Sequence, residues 1–210
     1  MHPYVKQLDV VAFDVDGTLT VRDCVVPFLA GVAGPLRTVR AAAGLVPLAA
    51  VRDPGARRDR AKRSLVRGCV AGLAEDELRG RGEIFARRVA GGWMRDDVMN
   101  RLRVHQDAGD VVVLVSASID AYLEPLGDIL EVDAVLCTQL EYADGVATGE
   151  LAGENCRGAE KVRRLIEWAG PAGFGGDDWL SAAYGDSSGD DEMLRMAREA
   201  VRVSAGDLPS

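Results

Sequence analysis

A run of apolar residues, Leu8–Phe13 (LDVVAF), stops abruptly at Asp14, Asp16 and Gly17. It is short and β-branched and ends in a turn signal, the pattern of a buried parallel strand. The pattern recurs. Val111–Val115 ends in Ser-Ala-Ser, Val132–Cys137 is a third such run, and Leu180–Tyr184 ends in Gly185–Asp186. Helical periodicity fills the intervals, at about Asp97–Gln106, Ile119–Leu130, Gly158–Trp168 and Gly189–Ala200. Strands alternating with helices predict an α/β fold with a mostly parallel sheet. Asp144-Gly145, between two strand-like runs, adds a predicted β-hairpin.

Residues 20–92 read differently. They contain no convincing strand and resemble several helices broken at Gly31, Gly34-Pro35, Gly44, Pro47 and Pro54-Gly55. The expectation is a helical insertion over 20–92, within a core formed by 1–19 and 93–210. A length of 210 residues suits one such domain with a small insertion. Between Pro35 and Val70, nine basic residues face two acids, so this part carries +7 in a chain of net charge −8.

That overall acidity, with a pI near 4.9, argues against nucleic acid as a partner. Four cysteines (Cys24, Cys69, Cys137, Cys156) lack paired spacing, and histidine occurs only at 2 and 105. They read as reduced core thiols, not as a zinc site. The N-terminus shows no secretory signal and no stretch has eighteen uninterrupted apolar residues, so a cytoplasmic protein is expected.

The acids and hydroxyls stand where chemistry is expected. In an open α/β sheet, ligands bind outside the carboxyl ends of the strands. Asp14 and Asp16 follow the first strand, Ser116 and Ser118 the second, and Asp186 and Asp190 the fourth. Lys161, near a helix start, could join them. Carboxylates gathered in this way repel one another unless a cation intervenes. With oxygen ligands only, Mg²⁺ is the natural ion. A carboxylate nucleophile, a hard cation, a lysine and a hydroxyl together make a phosphoryl-transfer toolkit.

Four segments carry a resemblance. FDVDGTLT (Phe13–Thr20), LVSAS (Leu114–Ser118), Lys161 in NCRGAEKV, and GDSSGDDEML (Gly185–Leu194) resemble, in order, the four motifs of the haloacid dehalogenase superfamily in its phosphatase form. A helical cap after the first motif is similar to the phosphoserine-phosphatase-like branch. The resemblance implies a Rossmann-like core and a Mg²⁺-dependent phosphatase acting on a small phosphate ester. It implies Asp14 as nucleophile and Asp16 as general acid/base and metal ligand through its carbonyl. Ser116 and the Ala117 N–H would bind phosphate with Lys161, while Asp14, Asp186 and Asp190 serve the metal. Asp16 separates this chain from the dehalogenase branch, since a carbon–halogen bond needs no protonated leaving oxygen.

Two positions depart from phosphoserine phosphatases. Gly189 stands where Asn is usual, and Asp23 stands where a Glu meets the substrate amino group. Asp23 is therefore the candidate specificity residue. A phospholipid phosphate is the alternative substrate, because Cys24–Val51 has only Arg37 and Arg40 as charges and basic segments flank it. Arg57 or Arg63 could reach the site. Ser118 is expected to cap the following helix, Asp191 to favour a helix dipole, Asp177 and Asp178 to be loop acids, and His105 to lie on a helix face. The rivals are a phospho-aspartate receiver, which lacks the insertion, and a non-catalytic phosphate-binding module. The sequence sets no oligomeric state.

Overall fold

The computed structural model describes residues 9–43, 52–176 and 178–204. Gly44, Pro47 and Asp177, and the segments 1–8, 44–51 and 205–210, lie outside the described residues. The elements run β1 (Val10–Phe13), α1 (Val25–Ala43), α2 (Pro54–Val70), α3 (Glu75–Ala90), α4 (Asp96–Ala108), β2 (Val111–Ile119) and α5 (Asp120–Leu130). They continue β3 (Ala134–Thr138), β4 (Leu140–Ala143), β5 (Val146–Leu151), α6 (Ala159–Ala169), β6 (Leu180–Gly185), α7 (Asp191–Met196) and β7 (Glu199–Arg202).

Five strands form one parallel sheet in the order β3-β2-β1-β6-β7. The period of two along β1 and β2 divides the core between the two faces of the sheet. Val11, Phe13, Val112 and Leu114 pack into the larger cluster with the helices from α1 to α5. Val10, Ala12, Val113 and Val115 pack on the other face with Leu165 and Met193. Both faces are covered, which explains why these strands read as unbroken apolar runs. Register then sets the site: Phe13 pairs with Leu114 and with Tyr184, so the residues just beyond them emerge on one edge. Beneath that edge Phe13 stacks on Tyr184 at 4.3 Å. The Tyr184 hydroxyl meets His105 Nε2 at 3.0 Å, and His105 Nδ1 meets Asp110 at 2.8 Å.

The helices α1 to α3 lie between β1 and α4. α1 is broken at Gly34, where φ is +73°, immediately before Pro35. The hairpin turn is Asp144-Gly145, with φ +51° and +74°, as a tight two-residue turn requires. The link between α2 and α3 attaches to this hairpin: Gly72 N–H donates to Ala147 O at 2.8 Å, and Ala147 N–H donates to Leu73 O at 2.9 Å. All four cysteines are buried and free. No helix among the described residues is long and apolar enough to cross a membrane.

One expected element is corrected. The helix expected over Gly189–Ala200 ends at Met196, and Glu199–Arg202 instead pairs with β6 as a parallel edge strand. Arg198 N–H donates to Leu180 O at 3.0 Å, so the backbone groups of β6 that would otherwise be left unpaired win over the local helical pattern.

Candidate active site

The backbone turns at Asp14 as soon as β1 ends, and Asp14 N–H donates to Tyr184 O at 2.9 Å. The Asp14 side chain is buried: Oδ1 accepts from Lys161 Nζ at 2.6 Å and Oδ2 from Thr18 Oγ1 at 3.1 Å. Lys161 sits in the first turn of α6 and is 1% exposed. Its ammonium also donates to Asp190 Oδ1 at 2.6 Å. The second oxygen of Asp190 accepts from the Ser187 N–H at 3.0 Å and the Ser187 hydroxyl at 2.8 Å. One buried cation therefore spans two carboxylates from opposite ends of the chain.

The electrostatics follow from that count. Burial pushes the Asp14 carboxyl up to about 7, with Asp190 and Asp16 adding to the rise and Lys161 opposing it. Burial works against the Lys161 charge, but Asp14 and Asp190 outweigh it and hold the ammonium above its ordinary value. Asp190 is likewise disfavoured by burial, yet Lys161 and the Ser187 donors bring it below the usual carboxylate range. Asp186 is exposed and raised, first by partial burial and then by Asp190. Asp14, Asp186 and Asp190 each offer one oxygen within 4.8 Å of the others. A lone lysine cannot neutralise three carboxylates, and an all-oxygen set of this kind suits a hard divalent cation. Gly17, at φ +86°, leaves room for Asp186: a Cβ there would collide with its carboxylate.

Asp16 is held apart from this cluster. Its Oδ1 accepts from Cys24 N–H at 2.9 Å and its Oδ2 from Ser118 Oγ at 2.6 Å. Burial, then the Asp23 charge, pushes Asp16 up to about 6. Ser118 was expected to cap a helix; instead α5 starts after Ile119 without a side-chain cap, and Ser118 bonds Asp16 while accepting from Tyr122 OH at 2.7 Å. The correction has a geometric cause: β2 runs on through Ile119, which carries Ser118 inward. Ser116 is buried, and its Oγ accepts from Ser118 N–H at 3.1 Å, so the hydroxyl hydrogen stays available.

Asp14, Asp16, Ser116, Lys161, Asp186 and Asp190 line a cavity of about 550 Å³, together with Ala117. Asp23 stands at its rim, with Oδ1 accepting from Val26 N–H at 3.1 Å at the start of α1. The basic residue reaching furthest in from α2 is neither Arg57 nor Arg63. Arg63 pairs with Glu154 at 2.9 Å, on the outside. Lys62 enters instead, donating to the Ala117 carbonyl, to Thr138 Oγ1 at 2.9 Å and to Asn155 Oδ1 at 2.6 Å. Burial brings the Lys62 ammonium down to about 8. In the sequence it is one of nine basic residues between Pro35 and Val70, and its i, i+4 spacing from Arg58 on one helix face is the one sign that sets it apart.

Residues 11–195 match the family described as haloacid dehalogenase-like hydrolase. The chain belongs to that family. Two relatives span most of this haloacid dehalogenase-like hydrolase. Protein CicA of Caulobacter vibrioides is 38% identical over 193 residues, covering 90% of this chain and 83% of that one. A phosphoserine phosphatase of Polaromonas sp. is 30% identical over 205 residues, covering 96% and 81%. The fold is shared with a protein of unknown function from Bordetella pertussis Tohama I, at a TM-score of 0.73 and 24% identity, covering 90% of this chain and 86% of that one. Within the haloacid dehalogenase-like hydrolases the chain is a phosphatase enzyme of the phosphoserine phosphatase-like kind.

Proposed function

We propose that the chain hydrolyses small-molecule phosphate monoesters through a phosphorylated Asp14. The observation that carries this reading is the division of labour between two aspartates two residues apart. Asp14 is locked to Lys161, while Asp16 is held separately by Ser118 and Cys24. In the first step an Asp14 oxygen bonds to phosphorus, the bond from phosphorus to the ester oxygen breaks, and the Asp16 carboxyl gives its proton to the departing alcohol. In the second step Asp16, now ionised, takes a proton from water, whose oxygen attacks phosphorus and frees Asp14 and inorganic phosphate. A carboxyl near 6 can serve in both directions close to neutral pH. Ser116 and the Ala117 N–H would donate to the phosphoryl oxygens, and Lys161 would balance charge gathered at Asp14. Mg²⁺ held by Asp14, Asp186, Asp190 and the Asp16 carbonyl would supply Lewis-acid charge to the phosphoryl group.

In the same reading residues 20–92 act as a cap over a core of 1–19 and 93–210, excluding bulk water during turnover. The phosphoserine phosphatase relative makes an amino-alcohol phosphate the first substrate to try. The test is phosphate release with Mg²⁺ from phosphoserine, other amino-alcohol phosphates, sugar phosphates and a dispersed phospholipid phosphate. Turnover lost in Asp14→Asn and on adding EDTA supports the mechanism, and the preferred member fixes the substrate class. Turnover that survives Asp14→Asn would overturn it.

A further inference from the structure

Among the described residues, four cations face the cavity: Arg58, Lys62, Arg157 and Lys161. Two are committed. Lys161 serves Asp14 and Asp190, and Lys62 is saturated by Ala117, Thr138 and Asn155. Arg157 has only a bond to Ser188 Oγ at 3.3 Å, and neither Arg157 nor Arg58 pairs with a carboxylate among the described residues. Arg157 is nonetheless half-buried. The carboxylates that line the cavity are held elsewhere or stand apart from Arg157, so a half-buried guanidinium facing the cavity keeps donors free for an incoming anion.

Gly189 explains how the arginine comes to be there. A Cβ at position 189 would lie 2.9 Å from Arg157 Nε, 3.0 Å from Cγ and 3.2 Å from Cζ, so the arginine lies directly across the glycine. Gly189 is buried and does not adopt a left-handed φ. Its backbone would accept any residue, so the glycine is required for space and not for conformation. Gly158 N–H donates to the Gly189 carbonyl at 2.8 Å, which holds the two loops together. From this position Arg157 Nη1 extends towards the start of α2, 3.7 Å from where a Cβ on Gly55 would be.

We propose that Arg157 is a specificity-determining residue: its guanidinium receives a second anionic group carried by the alcohol part of the substrate, and Gly189 keeps that place open. The proposal rests on the phosphatase reading and narrows it to phosphate monoesters with a further carboxylate or phosphate. The planar fork of arginine matches either anion with two parallel hydrogen bonds.

The test compares kcat/KM, with Mg²⁺ present, for monoesters with a second anion (phosphoserine, phosphoglycerate and glycerol bisphosphate) against ethanolamine phosphate and glycerol phosphate. The readout is the ratio between the best of the first group and the second group in wild type, Arg157→Met, Arg157→Lys and Gly189→Ala. The wild type favours the group with a second anion. Arg157→Met lowers the ratio by about 10- to 100-fold, mainly through KM. Arg157→Lys recovers part of it, since it keeps the charge and loses the fork. Gly189→Ala lowers the ratio by displacing the arginine, and adding it to Arg157→Met lowers it no further. A ratio unchanged in both Arg157→Met and Gly189→Ala, or absent in wild type, overturns the proposal and leaves the phosphatase reading intact. No hydrolysis of any member by wild type overturns both.

Discussion

Lys62 and Asn155 are bonded across 93 residues of sequence, Nζ donating to Oδ1 at 2.6 Å. The Asn155 amide nitrogen returns to α2, donating to Asp59 Oδ1 at 2.6 Å. One asparagine thus grips a helix twice, and the same ammonium bonds the carbonyl of Ala117 beside Ser116.

Lys62→Met is expected to lower kcat/KM by about tenfold or more, because the Ala117 carbonyl loses its charged donor and keeps only the Thr138 hydroxyl at 3.0 Å to seat the phosphate-binding turn. Stability should change less, with Tm within about 3 °C of wild type. The substitution removes a buried charge, and Thr138 Oγ1 still donates to Asn155 Oδ1 at 2.9 Å. Steady-state kinetics beside thermal melting checks this. A Tm loss without an activity loss would assign Lys62 a purely structural role.

Ser118→Ala removes the donor to Asp16 and leaves the buried Tyr122 hydroxyl without its acceptor. The expected outcome is a fall in kcat of about 10- to 100-fold and a stability loss of about 1–3 kcal/mol. The sign for Asp16 is upward: a hydrogen bond that favours the ionised form is gone, so the carboxyl moves above its present value of about 6. Kinetics across pH 5–9 would then show an activity limb displaced to the alkaline side.

Asp120 lies away from the catalytic cluster and is pushed up to about 6, chiefly by burial. Its oxygens accept from Leu140 N–H at 3.1 Å and Ala121 N–H at 2.8 Å, which oppose the shift without cancelling it. A carboxyl whose folded value lies above its unfolded value binds its proton more tightly in the folded state. Its penalty is therefore absent below the unfolded value of 3.8 and complete above about 6. Urea unfolding should show wild type losing about 2–3 kcal/mol relative to Asp120→Asn between pH 4 and pH 7. Parallel curves for the two proteins would refute this.

Mg²⁺ should raise Tm if Asp14, Asp186 and Asp190 hold it, because only the folded chain brings them within 4.8 Å. At a hundredfold excess over Kd the gain is about 2.7 kcal/mol, or about 5–10 °C. Asp186→Asn, at an exposed position, should fold normally and lose most of that rise. A Tm indifferent to Mg²⁺ in wild type would remove the metal from the reading.

The legible parts of this molecule are those whose chemistry is local. Asp14, Asp16, Asp186 and Asp190 announce themselves because a strand must end and a turn must begin beside them. The parallel sheet shows in Val112–Val115 because residues buried on both faces leave no alternation. What stayed hidden depends on distant partners. Lys62 looks like its basic neighbours until Asn155 and Ala117 meet it. Ser118 resembles a cap until β2 carries it to Asp16. Glu199–Arg202 has a helical pattern that yields to the exposed edge of β6. Arg157 and Gly189 are ordinary alone and become informative only when one is seen lying over the other.

The attachment of the α2–α3 link to β5 makes α2 a lever with its fulcrum at the far end. Gly72 and Leu73 are joined to Ala147, and Gly149 packs with its Cβ position 3.1 Å from Arg67 Cα. The 17 residues of α2 span about 25 Å. A tilt of about 10° at that fulcrum displaces the other end by about 4 Å over such a length. Arg67 would barely move, Lys62 would be drawn from its acceptors, and Arg58 would travel furthest. Admission of substrate then needs no unfolding of the helix. In the proposed capping role, such a tilt would break and remake the three bonds of the Lys62 ammonium, the Asn155–Asp59 bond and the Arg63–Glu154 pair in each cycle.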